Sequence, residues 1–371
     1  MKLETATGAD ESALKDYLKR SIAPGPVDFS IERPRSFFDQ YRLQSQDWLT
    51  WLVRDSRSAI KGTATAVFRS ARVAEDFENI GYCTDFRITP TRQSLAAWNS
   101  TFLPTLVQEG QKRGARYHFV SMPDSLSKLL MTFLLPRTSG LRASAPKYFL
   151  VGRFQLIGVL GRMPWAQRPL SHLRIEPAEM KDLEELADYL KRKSENRLLA
   201  FPYSAEFLEE RFTTWPGLHP RDILLARDFR GRIVGSVGIW NGNPVQEYRV
   251  RAYHGFSRTL KTALRFSSLL RLSHELPEVG DLLDFYFLTL LNADNPDIFD
   301  SLLARAFEVT FPRRFLVYTH FVDDFATRPP RNFLCANIPF ALYTLTPGGQ
   351  AAPEFLRKMR SKGPDLEAAL L

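Results

Sequence analysis

The chain has 371 residues, of which 44% are apolar and 25% are charged. This balance is typical of a folded globular protein and excludes the disordered and fibrous classes, and the length suits two domains that each bury a core. The formal net charge of +9 indicates a surface that attracts anions, such as cofactor phosphates, nucleic acid or an acidic membrane.

Targeting signals and metal-binding motifs are not evident in the sequence. No apolar run approaches the roughly 20 residues of a membrane span, and the first residues, MKLETATGADES, do not resemble an export signal. We therefore expect a cytoplasmic protein without a membrane partner. Cys83 and Cys335 lie in apolar segments typical of buried thiols, and the six histidines lack metal-ligand spacing, so no metal site is predicted.

The beginning of the chain is repeated near its middle. LETATGADESALKDYLKR from Leu3 matches IEPAEMKDLEELADYLKR from Ile175, so that Tyr17 falls on Tyr189 with an offset of 189 − 17 = 172. Both copies predict a short strand followed by an acid-rich helix, because leucine and tyrosine recur on one helical face.

A second match follows at almost the same offset. WLVRDSRSAIKGTATAVF from Trp51 is similar to LLARDFRGRIVGSVGIW from Leu224, so that Asp55 falls on Asp228 with an offset of 228 − 55 = 173. An apolar strand, a charged turn and a second strand that starts at a glycine predict a hairpin in each copy. Two matches at nearly one offset indicate a domain duplication, which is expected to pack as a pseudo-dimer.

The central strand of each copy is expected next. TDFRIT around Asp85 is similar to LDFYFLT around Asp284, which raises the offset to 284 − 85 = 199 and predicts an insertion at about residues 241–281. Amphipathic helices are predicted at 94–113 and 296–310, and each leads into a strand, RYHFVSM or RFLVYTHFV.

Late apolar strands are expected to close the copy in which they occur. They are PKYFLVGRFQLIG in the first copy and PFALYTLT in the second, and the segment PWAQRPLS at 164–171 has the composition of a linker. The sequence therefore predicts an α/β (α+β) protein with domains at 1–163 and 172–371.

The end of the first central strand and the turn after it read DFRITPTRQSLAAW, residues 85–98. An Ile-x-Pro step is followed by Arg-Gln-Ser-Leu-Ala-Ala at 92–97, where a helix is predicted to start. This order resembles the GNAT superfamily of acyl-CoA-dependent N-acyltransferases, in which a Val-x-Pro step precedes an Arg/Gln-x-x-Gly-x-Gly/Ala turn that binds the coenzyme A pyrophosphate. The resemblance extends over most of both halves and implies two GNAT-like domains, each a mixed, mostly antiparallel central sheet flanked by helices.

The resemblance implies an acyl-CoA site at this turn, because free amides and the dipole at a helix start bind anions. Arg92 and the small Ala97 fit the family pattern, whereas Leu95 stands where the family has its first glycine and its side chain would crowd a pyrophosphate. The second copy has Asp294 and Asp297 at its turn, which repel phosphate, so the site is expected in the first copy. The implied cofactor-binding residues are Phe86, Arg87, Ile88, Arg92, Gln93, Ser94, Leu95, Ala96 and Ala97.

Acyl transfer to an amine needs a base for the amine and gains from an acid for the departing thiolate. The resemblance makes Asp85 the candidate base and Tyr82 or Tyr117 the candidate assistant. The other interpretation of Asp85 is a structural one, as an ion pair with Arg87 or a hydrogen-bonded buried carboxylate.

The predicted function is transfer of an acetyl or longer acyl group from acyl-CoA to a small-molecule or protein amine, without a covalent enzyme intermediate. One alternative is a degenerate binding or regulatory protein without catalysis. Another is an aminoacyl-tRNA-dependent transferase, since Arg258, Lys261 and Arg265 form one helical stripe in the insertion that suits tRNA. That stripe also has a simpler interpretation as a solvated face.

Overall fold

The computed structural model of the chain describes residues 2–23, 25–88, 101–124, 147–163, 170, 172–270, 272–311, 314–347, 350–358 and 363–371. The strands of its first half are β1 (Lys2–Thr5), β2 (Ile22–Ala23), β3 (Val27–Glu32), β4 (Asp47–Arg54), β5 (Ile60–Val73), β6 (Asp76–Ile88), β7 (Tyr117–Pro123) and β8 (Lys147–Arg162). The helices of this half are α1 (Glu11–Arg20), α2 (Asp39–Arg42) and α3 (Leu103–Lys112).

The second half repeats this order with additions. Its strands are β9 (Arg174–Pro177), β10 (Ile223–Arg227), β11 (Ile233–Trp240), β12 (Glu247–Tyr253), β13 (Phe285–Ala293), β14 (Phe315–Phe321) and β15 (Phe333–Thr346). Its helices are α4 (Leu183–Ser194), α5 (Ala205–Thr214), α6 (Phe256–Leu269), α7 (Pro296–Thr310) and α8 (Phe355–Lys358). The helix predicted at 296–310 is confirmed as α7.

Twelve strands form one sheet in the order β1-β4-β5-β6-β7-β15-β8-β14-β13-β11-β10-β9. From each edge inward, the two copies contribute their strands in the same sequence order. Only β6–β7 and β13–β14 pair in parallel among the described strands of this sheet, and all other neighbours are antiparallel. The predicted α/β architecture with a mostly antiparallel sheet is confirmed.

Helices cover both faces of the sheet, because neighbouring residues of a strand point to opposite sides. On β5, Val67 packs against Leu14 and Leu18 of α1, whereas Phe68 packs in a second core with Leu106 of α3. In the second copy, α4 packs in one core and α7 packs in a separate one.

The duplication extends to individual side-chain contacts. Arg54 donates to Asp10 at 2.6 Å, and its counterpart Arg227 donates to Asp182 at 2.9 Å. In each hairpin turn, the aspartate after this arginine accepts two backbone N–H bonds, at 2.9 and 3.0 Å in both copies. An Asp side chain that caps the turn backbone fixes the hairpin locally, which explains why these residues are shared.

The last strands of the two copies are exchanged. β15 pairs with β7 of the first copy, whereas β8 pairs with β14 of the second. The two exchanged strands also pair with each other and so join the two halves into one sheet. The expectation that each late strand closes its own copy is therefore wrong, because an apolar pattern predicts that a strand is buried but does not select its partner.

The register of the central strands also differs from the sequence-based alignment. Gly62 pairs with Ile88 and its counterpart Gly235 pairs with Ala293, so equivalent residues are separated by 293 − 88 = 205. Asp85 thus corresponds to Leu290, and its match with Asp284 is wrong. The alignment error is 290 − 284 = 6 residues. The apolar pattern cannot reveal such an error, because a shift by an even number keeps every side chain on the same face of the strand.

The insertion between β11 and β13 contains β12 and α6. β12 leaves the large sheet and pairs with β3 of the first copy in a small sheet of order β12-β3-β2. The insertion thereby bridges the two halves next to the first central strand.

His118 on β7 is buried against two glycines of the first copy. A Cβ atom at Gly81 would lie 2.7 Å from the His118 ring, and one at Gly110 would lie closer still. Burial lowers the pKa of His118 to about 4, although a hydrogen bond to the backbone of Leu106 opposes this effect. The imidazole is therefore neutral at pH 7 in the folded protein.

We expect the free energy of unfolding to decrease as the pH falls from about 6.5 to about 4. In this window the unfolded chain takes up a proton on His118 and the folded chain does not, so stability is lost at about 1.4 kcal/mol per pH unit, or about 3 kcal/mol in total. Guanidinium unfolding at several pH values measures this slope, and NMR titration of the imidazole measures the pKa. The variant His118→Phe keeps a ring between the glycines and should lose this part of the slope. A folded-state pKa near 6.5 would contradict the prediction.

Candidate functional site: the central strands and the gaps beside them

Both central strands carry a β-bulge at the equivalent position. The register of β5 with β6 shifts between Thr63 and Thr65, so that Asp85 and Phe86 together oppose one residue. Asp85 has a φ of 50°, and its counterpart Leu290 has a φ of 49°. A left-handed conformation costs about 1–3 kcal/mol in a residue other than glycine, and bulges occur next to active sites. The strained bulge marks the end of β6 as a candidate site.

Beside the first bulge, the parallel strands β6 and β7 separate. They pair only from Ile80 opposite Tyr117 to Cys83 opposite Val120, after which β6 stays on β5 and β7 stays on β15. A narrow cleft with apolar walls lies at this separation. Its walls are Ala64, Cys83, Phe86, Phe102, Leu103, Leu106, Val120, Met122, Tyr148 and Leu345.

Cys83 is the thiol in the wall of this cleft. Burial raises the pKa of Cys83 to about 12, so the sulfur is protonated at neutral pH. The thiolate is the nucleophilic form of cysteine, so a covalent acyl-enzyme at this position is not favoured.

In the second copy the corresponding gap contains part of the chain itself. β13 and β14 pair in parallel only as far as Phe287 and Val317, and beyond this point residues 363–371 contact both strands. Thr289 of β13 donates a hydrogen bond to Glu367, and Thr319 of β14 donates one to the backbone carbonyl of Leu366. We refer to residues 363–371 as the plug segment.

A buried ion pair holds the plug segment in place. Arg211 of α5 and Glu367 are both almost fully buried and form two parallel hydrogen bonds, one of them at 2.9 Å from Nη1 to Oε1. The Arg211 guanidinium also lies 3.9 Å above the ring of Trp215. A paired, stacked guanidinium of this kind fixes both position and orientation.

Asp85 belongs to a buried network that links the first copy to the insertion. Its carboxylate forms an ion pair with Arg33 and accepts a hydrogen bond from Tyr41 at 2.9 Å. Arg33 in turn donates to Gln246 from Nη2 at 2.9 Å and from Nε at 3.1 Å. Sequence analysis missed Arg33, because 52 residues separate it from Asp85 and no local pattern signals the contact.

The environment of Asp85 favours its charged form. Burial acts to raise the pKa of Asp85, but the positive charges of Arg33 and Arg87 outweigh burial and lower it. The expected partner Arg87 lies 3.7 Å away through Nε and Oδ1. A carboxylate stabilised in this way is a weak base, so the network favours a positioning role, and a catalytic role for Asp85 stays a prediction.

Tyr82 lies on the same strand but has a different partner. Its hydroxyl is 2.7 Å from the hydroxyl of Ser121, and burial raises the pKa of Tyr82 to about 12. Tyr82 is therefore neutral at pH 7. No hydrogen bond between described residues joins Tyr82 to Asp85.

The implied cofactor-binding residues divide into two groups. Phe86 lines the apolar cleft, and Ile88 packs against the same core of the first copy. The backbone carbonyl of Arg87 accepts a hydrogen bond from Tyr17 at 3.5 Å. The remaining implied residues, Arg92, Gln93, Ser94, Leu95, Ala96 and Ala97, lie outside the described residues.

The equivalent turn of the second copy is closed by its own side chains. Asn295 caps α7 by accepting a hydrogen bond from the backbone N–H of Ile298 at 3.0 Å. Asp294 forms an ion pair with Lys193 at 2.6 Å. This turn therefore stabilises the helix start and presents a carboxylate where a phosphate would approach.

Solved structures share this arrangement. Saccharomyces cerevisiae N-myristoyltransferase with bound myristoyl-CoA is 12% identical, with a TM-score of 0.53 over 98% of this chain and 89% of that one. A second structure of this yeast enzyme with myristoyl-CoA is 11% identical, with a TM-score of 0.56 over 98% and 85%. The GCN5-related glucosamine N-acetyltransferase region of a fungal multidomain β-N-acetylglucosaminidase gives 10% identity and a TM-score of 0.52 over 93% of this chain and 38% of that one.

The chain has the GNAT-superfamily fold in a two-domain arrangement. No protein-family model matches it, and a comparison with curated protein sequences found no match. At identities of 10–12% these likenesses establish the fold and not a reaction.

Proposed function

We propose that the chain is an acyl-CoA-dependent N-acyltransferase with its acyl-CoA site in the first copy. The observation that supports this most directly is the difference between the two gaps. The gap beside β6 is an apolar cleft next to the bulge, whereas the gap beside β13 contains the plug segment. The first gap thus has an apolar lining that suits an acyl chain, whereas the second is lined in part by charged side chains of the plug segment.

The walls of the cleft favour an acyl group longer than acetyl. Its side chains are apolar, including Phe86, Leu103 and Leu106, and each CH₂ of a chain buried there would contribute about 0.8 kcal/mol. The yeast enzyme that shares the fold was solved with myristoyl-CoA. A fatty acyl-CoA is therefore our proposed donor.

The acceptor in this proposal is an amine on a small molecule or a protein. Its nitrogen attacks the thioester carbon, so that a C–N bond forms and the C–S bond breaks. The proton lost by the nitrogen ends on the sulfur of coenzyme A, which departs as the thiol. The neutral Cys83 thiol fits direct transfer without an acyl-enzyme. In this proposal Asp85 orders the bulge through its ion pair with Arg33. Tyr82 assists the departing thiolate, and the turn from Arg92 to Ala97 binds the coenzyme A pyrophosphate.

Thermal unfolding with added ligands tests the proposal. A ligand that binds the folded state raises the melting temperature, so we expect a rise with octanoyl-CoA or myristoyl-CoA that exceeds the rise with acetyl-CoA or free coenzyme A. If several CH₂ groups are buried, the affinity for octanoyl-CoA should exceed that for acetyl-CoA by at least about tenfold.

A matched pair of variants separates the cleft from general stability. Ala64→Leu fills the cleft and should weaken octanoyl-CoA binding by at least about tenfold, with a smaller effect on free coenzyme A. Ala226→Leu adds the same atoms to a buried strand of the second copy and should leave binding unchanged. No stabilisation by any acyl-CoA at about 1 mM would sink the proposal. A salt-sensitive response to tRNA alone would instead support the aminoacyl-tRNA-dependent alternative.

A further inference from the structure

Helix α6 of the insertion buries only a narrow face. Leu264 lies in the core of the second copy, and Ser257 is buried beside it. Four large apolar side chains point away from this core, with exposed fractions of 78% for Phe256, 68% for Phe266, 78% for Leu269 and 71% for Leu270. Such a concentration of exposed apolar side chains on one helix is typical of a binding surface.

The exposed side chains are ordered around the helix. At about 100° per residue, Phe266, Leu269 and Leu270 fall within about 100° of one another, on the side away from Leu264. Arg258 and Arg265 are exposed on the flank next to this apolar ridge. We call the ridge and its basic flank the α6 outer face.

The basic flank is only partly neutralised. Arg265 has an exposed side chain and a loose contact of 3.6 Å with Glu275, which is also exposed, and such a pair contributes little to stability. Lys261 is paired with Glu278 at 2.5 Å, and Arg258 donates to the backbone carbonyl of Tyr253 at 2.8 Å. The flank thus keeps positive charge that can meet an anionic partner.

We infer that the α6 outer face docks on the surface of an anionic lipid bilayer. An apolar ridge with a basic flank is the pattern of helices that lie in the membrane interface, with aromatic and leucine side chains among the acyl chains and Arg or Lys at the headgroups. A nucleic-acid partner would use the basic flank but leave Phe266 and Leu270 in water, so it explains less of the surface.

This inference revises the expectation of no membrane partner, which was based on the lack of a spanning segment. No helix among the described residues is long and apolar enough to cross a membrane, and interfacial docking does not need one. The inference is independent of the proposed acyl transfer, because it depends only on α6.

Co-sedimentation of the full chain with lipid vesicles tests the inference. We expect binding to vesicles of phosphatidylcholine with 30% phosphatidylserine, weaker binding to phosphatidylcholine alone, and a decrease at high salt. The double variant Arg265→Glu with Phe266→Ser removes one ridge side chain and reverses one flank charge. It should lower the partition coefficient by about a hundredfold.

The β10–β11 turn provides a matched control. Phe229 is 82% exposed, and the exposed Arg230 stands next to it, so Phe229→Ser with Arg230→Glu makes the same chemical change elsewhere. This control should bind vesicles like the unmodified chain, and circular dichroism should show both variants folded, because all four residues are exposed.

Three results would overturn the inference: no vesicle binding by the unmodified chain, an equal loss in both double variants, or binding that Arg265→Glu abolishes and Phe266→Ser leaves intact. The last of these, together with salt-sensitive tRNA binding, would assign the basic flank to nucleic acid instead.

Discussion

Replacing Arg33 with leucine is expected to lower the free energy of unfolding by about 3–5 kcal/mol. The substitution leaves the carboxylate of Asp85 buried without its main counter-charge, and breaking a buried ion pair from one side is strongly destabilising. It also removes the hydrogen bonds to Gln246, which connect the first copy with the insertion. Guanidinium unfolding measures the loss.

The double variant Arg33→Leu with Asp85→Leu separates the pair from its surroundings. It should be more stable than Arg33→Leu alone, because no uncompensated charge remains in the core. Arg232→Leu is the control, because it breaks an ion pair with Asp228 in which the arginine is largely exposed. It should lower the free energy of unfolding by less than about 1 kcal/mol. An equal cost for Arg33→Leu and Arg232→Leu would contradict the prediction.

Comparison of Asp85→Asn with Arg33→Leu distinguishes a catalytic role of Asp85 from a positioning role. If Asp85 is a general base, Asp85→Asn lowers kcat by at least about a hundredfold and removes the acid limb of the pH–rate profile. If it positions the bulge, the loss of activity follows the loss of stability and Arg33→Leu reproduces it, with the pH profile unchanged.

Replacing Arg211 with leucine is expected to cost a similar 3–5 kcal/mol and to release the plug segment. Glu367 would stay buried without the guanidinium, and its remaining hydrogen bond with Thr289 does not replace the lost ion pair. Unfolding by guanidinium measures the cost, and hydrogen exchange at residues 363–371 measures the release.

An exposed pair provides the comparison for Arg211. Arg42→Leu breaks the contact of Arg42 with Asp39 on α2, where the arginine is half exposed, and should change neither stability by more than about 1 kcal/mol nor exchange in the plug segment. Unchanged protection of residues 363–371 in Arg211→Leu would show that the ion pair does not hold them.

Local chemistry explains what the sequence predicted correctly. The hairpin turns around Asp55 and Asp228 are fixed by backbone bonds to one aspartate, so the repeated residues report a repeated structure. The helix 296–310 begins at an Asn-Pro cap that is visible in the sequence. Interactions of this range, within a few residues, can be predicted from the sequence alone.

Contacts between residues far apart in the sequence explain what the sequence did not predict. The central strand of alternating apolar residues fits several registers, which is why Asp85 was aligned with Asp284 and not with Leu290. Neither the ion pair of Arg33 with Asp85 nor the plug segment has a local signature, because each depends on chain segments that meet only in the folded protein. The acyl-CoA turn at 92–97 stays a prediction.

The exchange of β8 and β15 has a consequence for how the protein folds. The first copy pairs its β7 with residues that follow more than 200 positions later, as in the contact of His118 with Leu345. Contacts of such sequence separation raise the contact order and slow folding, since a large loop must close before they form. During synthesis, the edge of β7 that binds β15 therefore stays unpaired until residues 340–345 have been made. The sheet of the first copy is therefore completed only by a strand from the second half of the chain.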